Sequence, residues 1–432
     1  MAGSVTPRIL AIMGSGETAP TMAKVHRLLL ARLGPPPVAA ALLDTPYGFQ
    51  ENAGEITTRA LEYFRENVGY PMQVAPFRGG DGDPLERATS VARLREARYV
   101  FAGPGSPSYA LRQWMGTEIP DLLADKLMRG GSIVTFASAA ALTLGRWTVP
   151  VYEIYKVGEV PRWLEGMDVM GRLGFNTAVV PHYDNAEGGT HDTRFCYLGE
   201  RRLSMLEWEL PDDAFVLGVD SHTALVMDLD AGTATVLGLG GVTVRVRGTS
   251  VVFPTGTTLT LDALRAAAAG QVAARAGAGA PAARGVPEDA VASRAPSPAA
   301  AAPLLDEVHH LEREFESALD QGDVHGAVRA ILGLESTLVD WSADTGLNDQ
   351  TDQARSILQA LIVRLGELSD RGVRDPRELV GPFVEALLEL RRRARDASDW
   401  STADLVRDRL VEAGVEVRDT ADGTEWEMRR AP

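Results

Sequence analysis

Ser138 is the residue of this chain best placed to act as a nucleophile. It follows Ser132-Ile-Val-Thr-Phe-Ala137, whose β-branched run reads as a buried strand, and it precedes an alanine-rich stretch that reads as a helix. A strand, a sharp turn and a helix with serine at the apex make a nucleophile elbow, where the helix N-terminus offers N–H groups to a developing oxyanion. The same local pattern also suits an ordinary serine N-cap. Serine is a weak nucleophile until a neighbouring base takes its proton and a carboxylate orients that base. His182, His191 and His222 fall in one later stretch, each close to an aspartate or serine. His182, Asp184, His191 and Asp192 could instead hold a divalent cation, but no spacing matches a familiar ligand motif, so neither metal nor cofactor is expected.

Positioning these groups requires a sheet. Apolar runs at Arg8 to Met13, Val38 to Leu43, Met72 to Ala75, Arg98 to Ala102 and Ser132 to Ala137 alternate with helical patterns, which predicts an α/β domain with a mainly parallel sheet flanked by helices. Ligands in such sheets sit beyond the carboxyl ends of the strands, where the loops after Met13, Leu43, Ala102 and Ala137 should gather. The turn Gly14-Ser-Gly-Glu-Thr18 has neither a full dinucleotide fingerprint nor a P-loop lysine.

The chain has 432 residues, 45% of them hydrophobic, and a formal charge of −16. Two domains are expected at this length, and the acidic balance argues against broad adhesion to nucleic acid or anionic membrane. One cysteine, Cys196, excludes an internal disulfide and a cysteine-rich zinc site, and suits a reducing, cytoplasmic setting. It reads as a small buried hydrophobe. No stretch approaches the roughly 20 apolar residues of a membrane-spanning helix, and the N-terminus lacks a long apolar leader.

From about residue 8 to 250 the chain resembles the cyanophycinase and peptidase E group, peptidase family S51, of the class I glutamine-amidotransferase-like fold. The resemblance rests on Gly14-Ser-Gly-Glu17, Phe101-Ala-Gly-Pro-Gly105, Ala137-Ser138-Ala139-Ala140-Ala141, Pro181-His182-Tyr183 and Gly218-Val-Asp220-Ser-His-Thr-Ala-Leu225. It implies Ser138 as nucleophile and His182 as general base, with Gly105 and Ala139 as oxyanion donors beside Gly14 and Gly103. Phe136 and Ala140 stand where the family has glycine, and are expected to crowd the turn. Ser221 stands where the family has a carboxylate, leaving Asp220, Glu153 or Asp184 as candidate acids. A glutaminase would need a thiol where Ser138 stands, so that activity is not expected.

An Ala/Gly/Pro-rich stretch from Ala266 to Pro303 lacks the large apolar groups of a core and reads as a disordered linker, giving domains at 1–262 and 304–432 around a segment 263–303. Five helical patterns follow, at 304–319, 326–339, 351–368, 378–397 and 401–413, so the second domain is expected to be an all-α bundle. Ser401 is expected to cap its last helix and Gly414 to stop it. Residues from Leu390 to Trp426 resemble the anticodon-binding domain of cysteinyl-tRNA synthetase. That resemblance implies tRNA as a partner, while the synthetase's nucleotide-binding signatures and zinc cysteines are missing, so aminoacylation is not expected. From Leu304 onward there are 28 acidic and 16 basic residues, a net of −12. Phosphate contacts would therefore need a local patch such as Arg391, Arg392, Arg395 and Arg407, with Arg393 and Arg409 beside it. Arginines among acids more often form a solvated face, and Trp400 and Trp426 are expected in the core.

Two classes of function are compatible with these residues. One is serine-dependent hydrolysis of a small peptide or amide by the first domain, tethered to a tRNA-binding-type module. The other is a catalytically silent adaptor that binds a ligand in the α/β cleft and tRNA or a protein through the helices. A homodimer through the sheet domain is compatible with either, and no membrane partner is expected.

Overall fold

The computed structural model describes residues 7–78, 83–186, 191–277, 303–342, 348–373, 376–420 and 423–428. Two compact units divide them: residues up to His310 together with Gly333–Arg355, and Leu311–Leu332 together with Ser356 onward. The boundary cuts across three helices.

The first unit is built on two sheets. Strands β1 (Arg8–Met13), β2 (Ala40–Leu42), β3 (Gln73–Val74), β4 (Tyr99–Ala102) and β5 (Ser132–Ala137) run parallel in the order β1-β5-β4-β2-β3. Helices α1 (Pro20–Ala31), α2 (Ala53–Tyr63), α3 (Pro84–Glu96), α4 (Pro107–Trp114) and α5 (Ile119–Arg129) alternate with them, as the apolar spacing predicts. The next helix, α6, spans Ser138–Leu142.

A second sheet, which the sequence pattern does not separate from the first, begins with β6 (Trp147–Thr148), β7 (Leu164–Glu165), β8 (Thr177–Val180) and β9 (Phe215–Val219), with α7 (Val169–Arg172) and α8 (Gly199–Glu209) between them. The chain then returns to the first sheet as β10 (Thr223–Asp228) and β11 (Thr233–Gly238), and goes back to the second as β12 (Gly241–Val246) and β13 (Thr249–Pro254). Strand β14 (Thr258–Thr260) closes the first sheet, whose order is β14-β11-β10-β1-β5-β4-β2-β3. Strands β10, β11 and β14 join antiparallel. The second sheet runs β13-β12-β9-β8-β6-β7.

Register explains why the candidate residues meet. Met13 pairs with Ala137 in parallel and with Ala224 in antiparallel, while Ala102 pairs with Phe136. The residues just beyond these pairs, Gly14, Ser138, Gly103 and His222 with Thr223, are thereby brought to one edge of the sheet. Val180 pairs with Gly218, which carries His182 to the same end of the second sheet.

Helix α9 (Leu261–Gly277) corrects the expected start of the linker. Leu261, Leu264 and Ala268 are spaced to share one helix face, and all three are buried in the main core. Alanine is a strong helix former, so a stretch poor in large side chains still folds once three apolar groups reach the sheet. The expected linker beyond it, residues 278–302, lies outside the described residues.

Helices α10 (Pro303–Asp320), α11 (Val324–Asp340), α12 (Asn348–Val373), α13 (Pro376–Asp396) and α14 (Trp400–Glu412) follow. In the second unit α13 packs on α14, and a hairpin of β15 (Val415–Thr420) and β16 (Gly423–Met428) adds a small sheet to the helices. Val384, Val406, Leu410, Val415 and Val417 form its buried cluster, with Trp426 against them. Trp426 is thus partly buried against that cluster, whereas Trp400, expected in the core, is 59% exposed. Asp399, not Ser401, caps α14, accepting from the Thr402 N–H at 3.1 Å while Ser401 donates to it. Gly414, at φ 82°, ends the helix as its position predicts.

Candidate active site

The turn after β5 holds Ser138 at φ 48°, a left-handed conformation that costs an L residue roughly 1–2 kcal/mol, and α6 begins at once. A simple N-cap would be extended; that role falls to Ala137, at φ −127°. The expected crowding does not arise. Phe136 is absorbed in the core with its ring 5.9 Å from Trp114, and Ala140 is fully buried with its N–H on the Gly103 carbonyl at 3.1 Å. Ser138 Oγ lies 2.8 Å from His182 Nε2.

His182 is itself left-handed, at φ 46°, just past the end of β8. Three consecutive left-handed residues, Phe195, Cys196 and Tyr197, bring a loop back onto it. Cys196 N–H donates to the His182 carbonyl and Phe195 N–H to that of Tyr183, both at 3.0 Å. Beneath them the Arg245 guanidinium lies 5.1 Å over Phe195 and pairs with buried Glu207 at 2.8 Å. Cys196 is buried, and burial pushes its thiol up to about 12, so it is inert as a nucleophile. His182 retains part of its surface, but burial of its ring, with the neighbouring His222 adding to the effect, lowers it to about 4. The imidazole is therefore neutral at pH 7 and free to accept a proton.

His222 joins this pair, which its sequence context suggests only loosely. It sits at φ 50° in the turn Asp220-Ser221-His222 where the chain crosses between sheets, and burial lowers it to about 4. Its Nδ1 is 2.9 Å from Thr21 Oγ1. Gly16, at φ 67°, gives it room: a Cβ there would stand 2.1 Å from His222 Nδ1. Thr21 and Gly16 were missed because they meet His222 about two hundred residues away, and only the glycine-rich turn hinted at a close approach. His191 lies outside the pair, exposed and stacked on Tyr155.

The candidate acids are differently engaged. Asp220 accepts the Gly241 N–H at 2.8 Å, and burial, reinforced by Asp184, raises it to about 7. Asp184 accepts the Ser221 N–H at 2.7 Å. Glu153 begins the single turn Glu153–Val157, and its Oε2 is buried with no hydrogen-bond partner among the described residues. His182 makes one side-chain hydrogen bond among those residues, to Ser138. Asp220 therefore does not fill the place of an orienting carboxylate in this conformation.

Of the oxyanion candidates, Gly14 is excluded. Its N–H is spent on the Thr223 carbonyl at 2.9 Å, and a Cβ would lie 2.0 Å from the Asp220 carbonyl oxygen, so this glycine serves close packing. Gly103 ties its loop to the elbow through Ala140. Gly105, at φ 132°, has a Cβ position 2.1 Å from the Pro46 carbonyl oxygen. Ala139, second in α6, has an N–H with no intrahelical acceptor. No three His, Cys, Asp or Glu side chains are grouped to hold a metal ion among the described residues, and no helix there is long and apolar enough to cross a membrane.

In the second unit the arginines are mostly committed. Arg391 is buried and grips Asp419 with both terminal nitrogens, at 2.8 and 2.9 Å, holding the Asp419 carboxyl far below its ordinary range. Its place in a phosphate-binding patch is thereby corrected: it joins α13 to the hairpin. Arg395 shares Asp419, Arg392 and Arg393 pair with Glu389, and Arg409 pairs with Glu412. Arg407 is exposed and makes no ion pair among the described residues.

Residues 380–426 match the cysteinyl-tRNA ligase anticodon binding domain. The match includes α14 and β15 and ends within β16. Among solved structures, the chain is similar to a peptidase from an acI-B1 Actinobacterium, with 20% identity, a TM-score of 0.47, and 59% of this chain covering 97% of that one. It is also similar to a candidate peptidase E from Listeria monocytogenes EGD-e, with 12% identity, a TM-score of 0.38, and 54% of this chain covering 99% of that one.

Proposed function

We propose that the first unit is a serine hydrolase of peptide or related amide bonds, of the S51 type, joined to a tRNA-binding-type module that lacks aminoacylation chemistry. The observation that carries this reading is the 2.8 Å contact between a left-handed, elbow-borne Ser138 and a neutral His182. In the reaction His182 takes the Ser138 proton as Oγ attacks the carbonyl carbon, and the oxyanion is met by N–H groups of Ala139 and Gly105. His182 then gives the proton to the leaving amine, and a water, deprotonated by the same ring, releases the acid and restores Ser138. Glu153 is the carboxylate we assign to the developing imidazolium. Its support is an unsatisfied buried oxygen and the packing of the adjacent Ile154 in one cluster with Val180 and Tyr183, which flank His182.

Fluorophosphonate labelling of the full chain tests this. Modification mapped to Ser138, and lost in Ser138→Ala, is the expected result; an unlabelled, folded wild type would sink the hydrolase. Among the described residues no carboxylate is bonded to His182, which favours the second reading, a silent ligand-binding adaptor, and that outcome would adopt it. For the module, the family match supports contact with tRNA in the cytoplasm. Binding of the full chain to tRNA that weakens steeply with added salt is expected, and no binding at low salt would remove that partner.

A further inference from the structure

A cleft of about 540 Å³ opens in the first unit between the residues that follow α6 and those around β7, a size that suits a small-molecule ligand. It is separate from the Ser138–His182 pair. Arg146 and Trp147 run beside Thr177 and Ala178 at the start of β8, whereas His182 follows the end of that strand. Backbone bonds fix the walls: Gly166 N–H donates to the Arg146 carbonyl at 2.9 Å and Asp168 N–H to that of Gly145 at 3.1 Å. A Cβ on Gly166 would stand 2.1 Å from the Gly145 carbonyl oxygen, so the two segments close together because this residue is glycine.

The indoles of Trp147 and Trp163 both line the cleft and keep part of their surface open, and Trp163 is held by its Nε1–H, which donates to the Leu206 carbonyl at 2.9 Å. Charge of both signs stands around them. The exposed Arg146 guanidinium lies 5.4 Å from the Trp147 ring centre, and exposed Glu165 is the cross-strand partner of Trp147. Neither makes an ion pair among the described residues. Asp168 keeps accessible surface where it lines the cleft, but its Oδ1 is buried with no hydrogen-bond partner among those residues. A carboxylate so placed gains from a donor brought to it.

We propose that this cleft binds a free α-amino acid with a large apolar side chain. Arg146 takes the carboxylate, Asp168 and Glu165 take the ammonium, and the side chain lies against the two indoles. A ligand with one sign of charge would use only the guanidinium or only the acids, and a purely apolar one would use neither. The site is independent of the hydrolase reading, and an inert Ser138 would leave it standing.

Isothermal titration of the full chain with L-phenylalanine tests this, alongside 2-phenylethylamine, which lacks the carboxylate, and 3-phenylpropionate, which lacks the ammonium. Phenylalanine should bind about ten-fold tighter than either. Arg146→Gln, a change at an exposed position, should weaken phenylalanine about ten-fold and leave phenylethylamine unaltered. Asp168→Asn should weaken phenylalanine to a similar degree and leave phenylpropionate unaltered. No phenylalanine binding to the wild type overturns the site. Phenylethylamine held as tightly as phenylalanine overturns the amino acid in favour of a simple amine, and glucose binding where phenylalanine does not overturns it in favour of a sugar. Phenylalanine held equally by the wild type and both variants overturns this cleft as its place of binding. Fluorophosphonate labelling of Ser138, present or absent, moves none of these outcomes.

Discussion

Ser138 and His182 meet while both are left-handed, so each side chain is aimed by backbone that has little freedom to adopt anything else. Because burial lowers His182 to about 4, turnover should have an acid limb near pH 4 and run level above it, which a pH profile of kcat/KM checks. If Glu153 orients the imidazolium, Glu153→Gln should lower kcat by about 10²-fold or more with little change in KM. Unchanged kcat would leave the dyad without an acid. The Ser138–His182 pair was legible because each residue follows an apolar strand in a distinctive short motif. Glu153 was legible only as one of three carboxylates, since no spacing reports which acid is buried and unpaired. His222 was obscured further: its environment is made by Gly16 and Thr21, and sequence distance carries no trace of a glycine kept small for a ring.

At the scale of elements, parallel strands and helices followed from alternation of apolar runs, and the five C-terminal helices from apolar spacing. Errors arose where a few contacts outweigh composition. Helix α9 is mostly alanine, but Leu261, Leu264 and Ala268 anchor it. Leu264→Ala should therefore destabilise the first unit by about 2–5 kcal/mol, measured by urea denaturation, as for other buried leucines. A loss below about 0.5 kcal/mol would mean that α9 contributes little to that core. The cap of α14 moved from Ser401 to Asp399 because a carboxylate is the stronger acceptor for an N–H and the serine itself bonds to it. The division into two sheets was not legible, since an apolar run carries no mark of which sheet its strand will join.

Across the whole molecule, buried titratable groups link stability to pH. His26, His182 and His222 are each lowered to about 4 by burial, so between about pH 4 and 6.5 the unfolded chain binds three protons that the folded chain does not. Asp220, raised to about 7, acts in the opposite sense over that range, keeping in the fold one proton that the unfolded chain has lost. The net is two, so stability should fall as pH drops through this window, by at most about 3 kcal/mol per pH unit. Asp220→Asn removes the opposing proton and should steepen the fall towards three protons. A variant with an unchanged slope would show that Asp220 titrates at its ordinary value. Two-unit organisation was visible from the change in composition, but the return of residues 333–355 to the first unit was not, because nothing local in Trp341 records that its ring packs against His222.

The pairing of β1 with β10 also bears on how the protein is made. During synthesis β1, β5 and β4 can assemble early, but the flank of β1 stays an open strand edge until residues 223–228 emerge more than two hundred residues later. Such an edge invites pairing with other chains, and closing so long a loop is slow. Insertion of β10 caps that edge and, in the same event, delivers His222 to Thr21. Protection of the nascent sheet from aggregation and the docking of His222 against Thr21 are thus one step, and a chain interrupted before Thr223 would have neither.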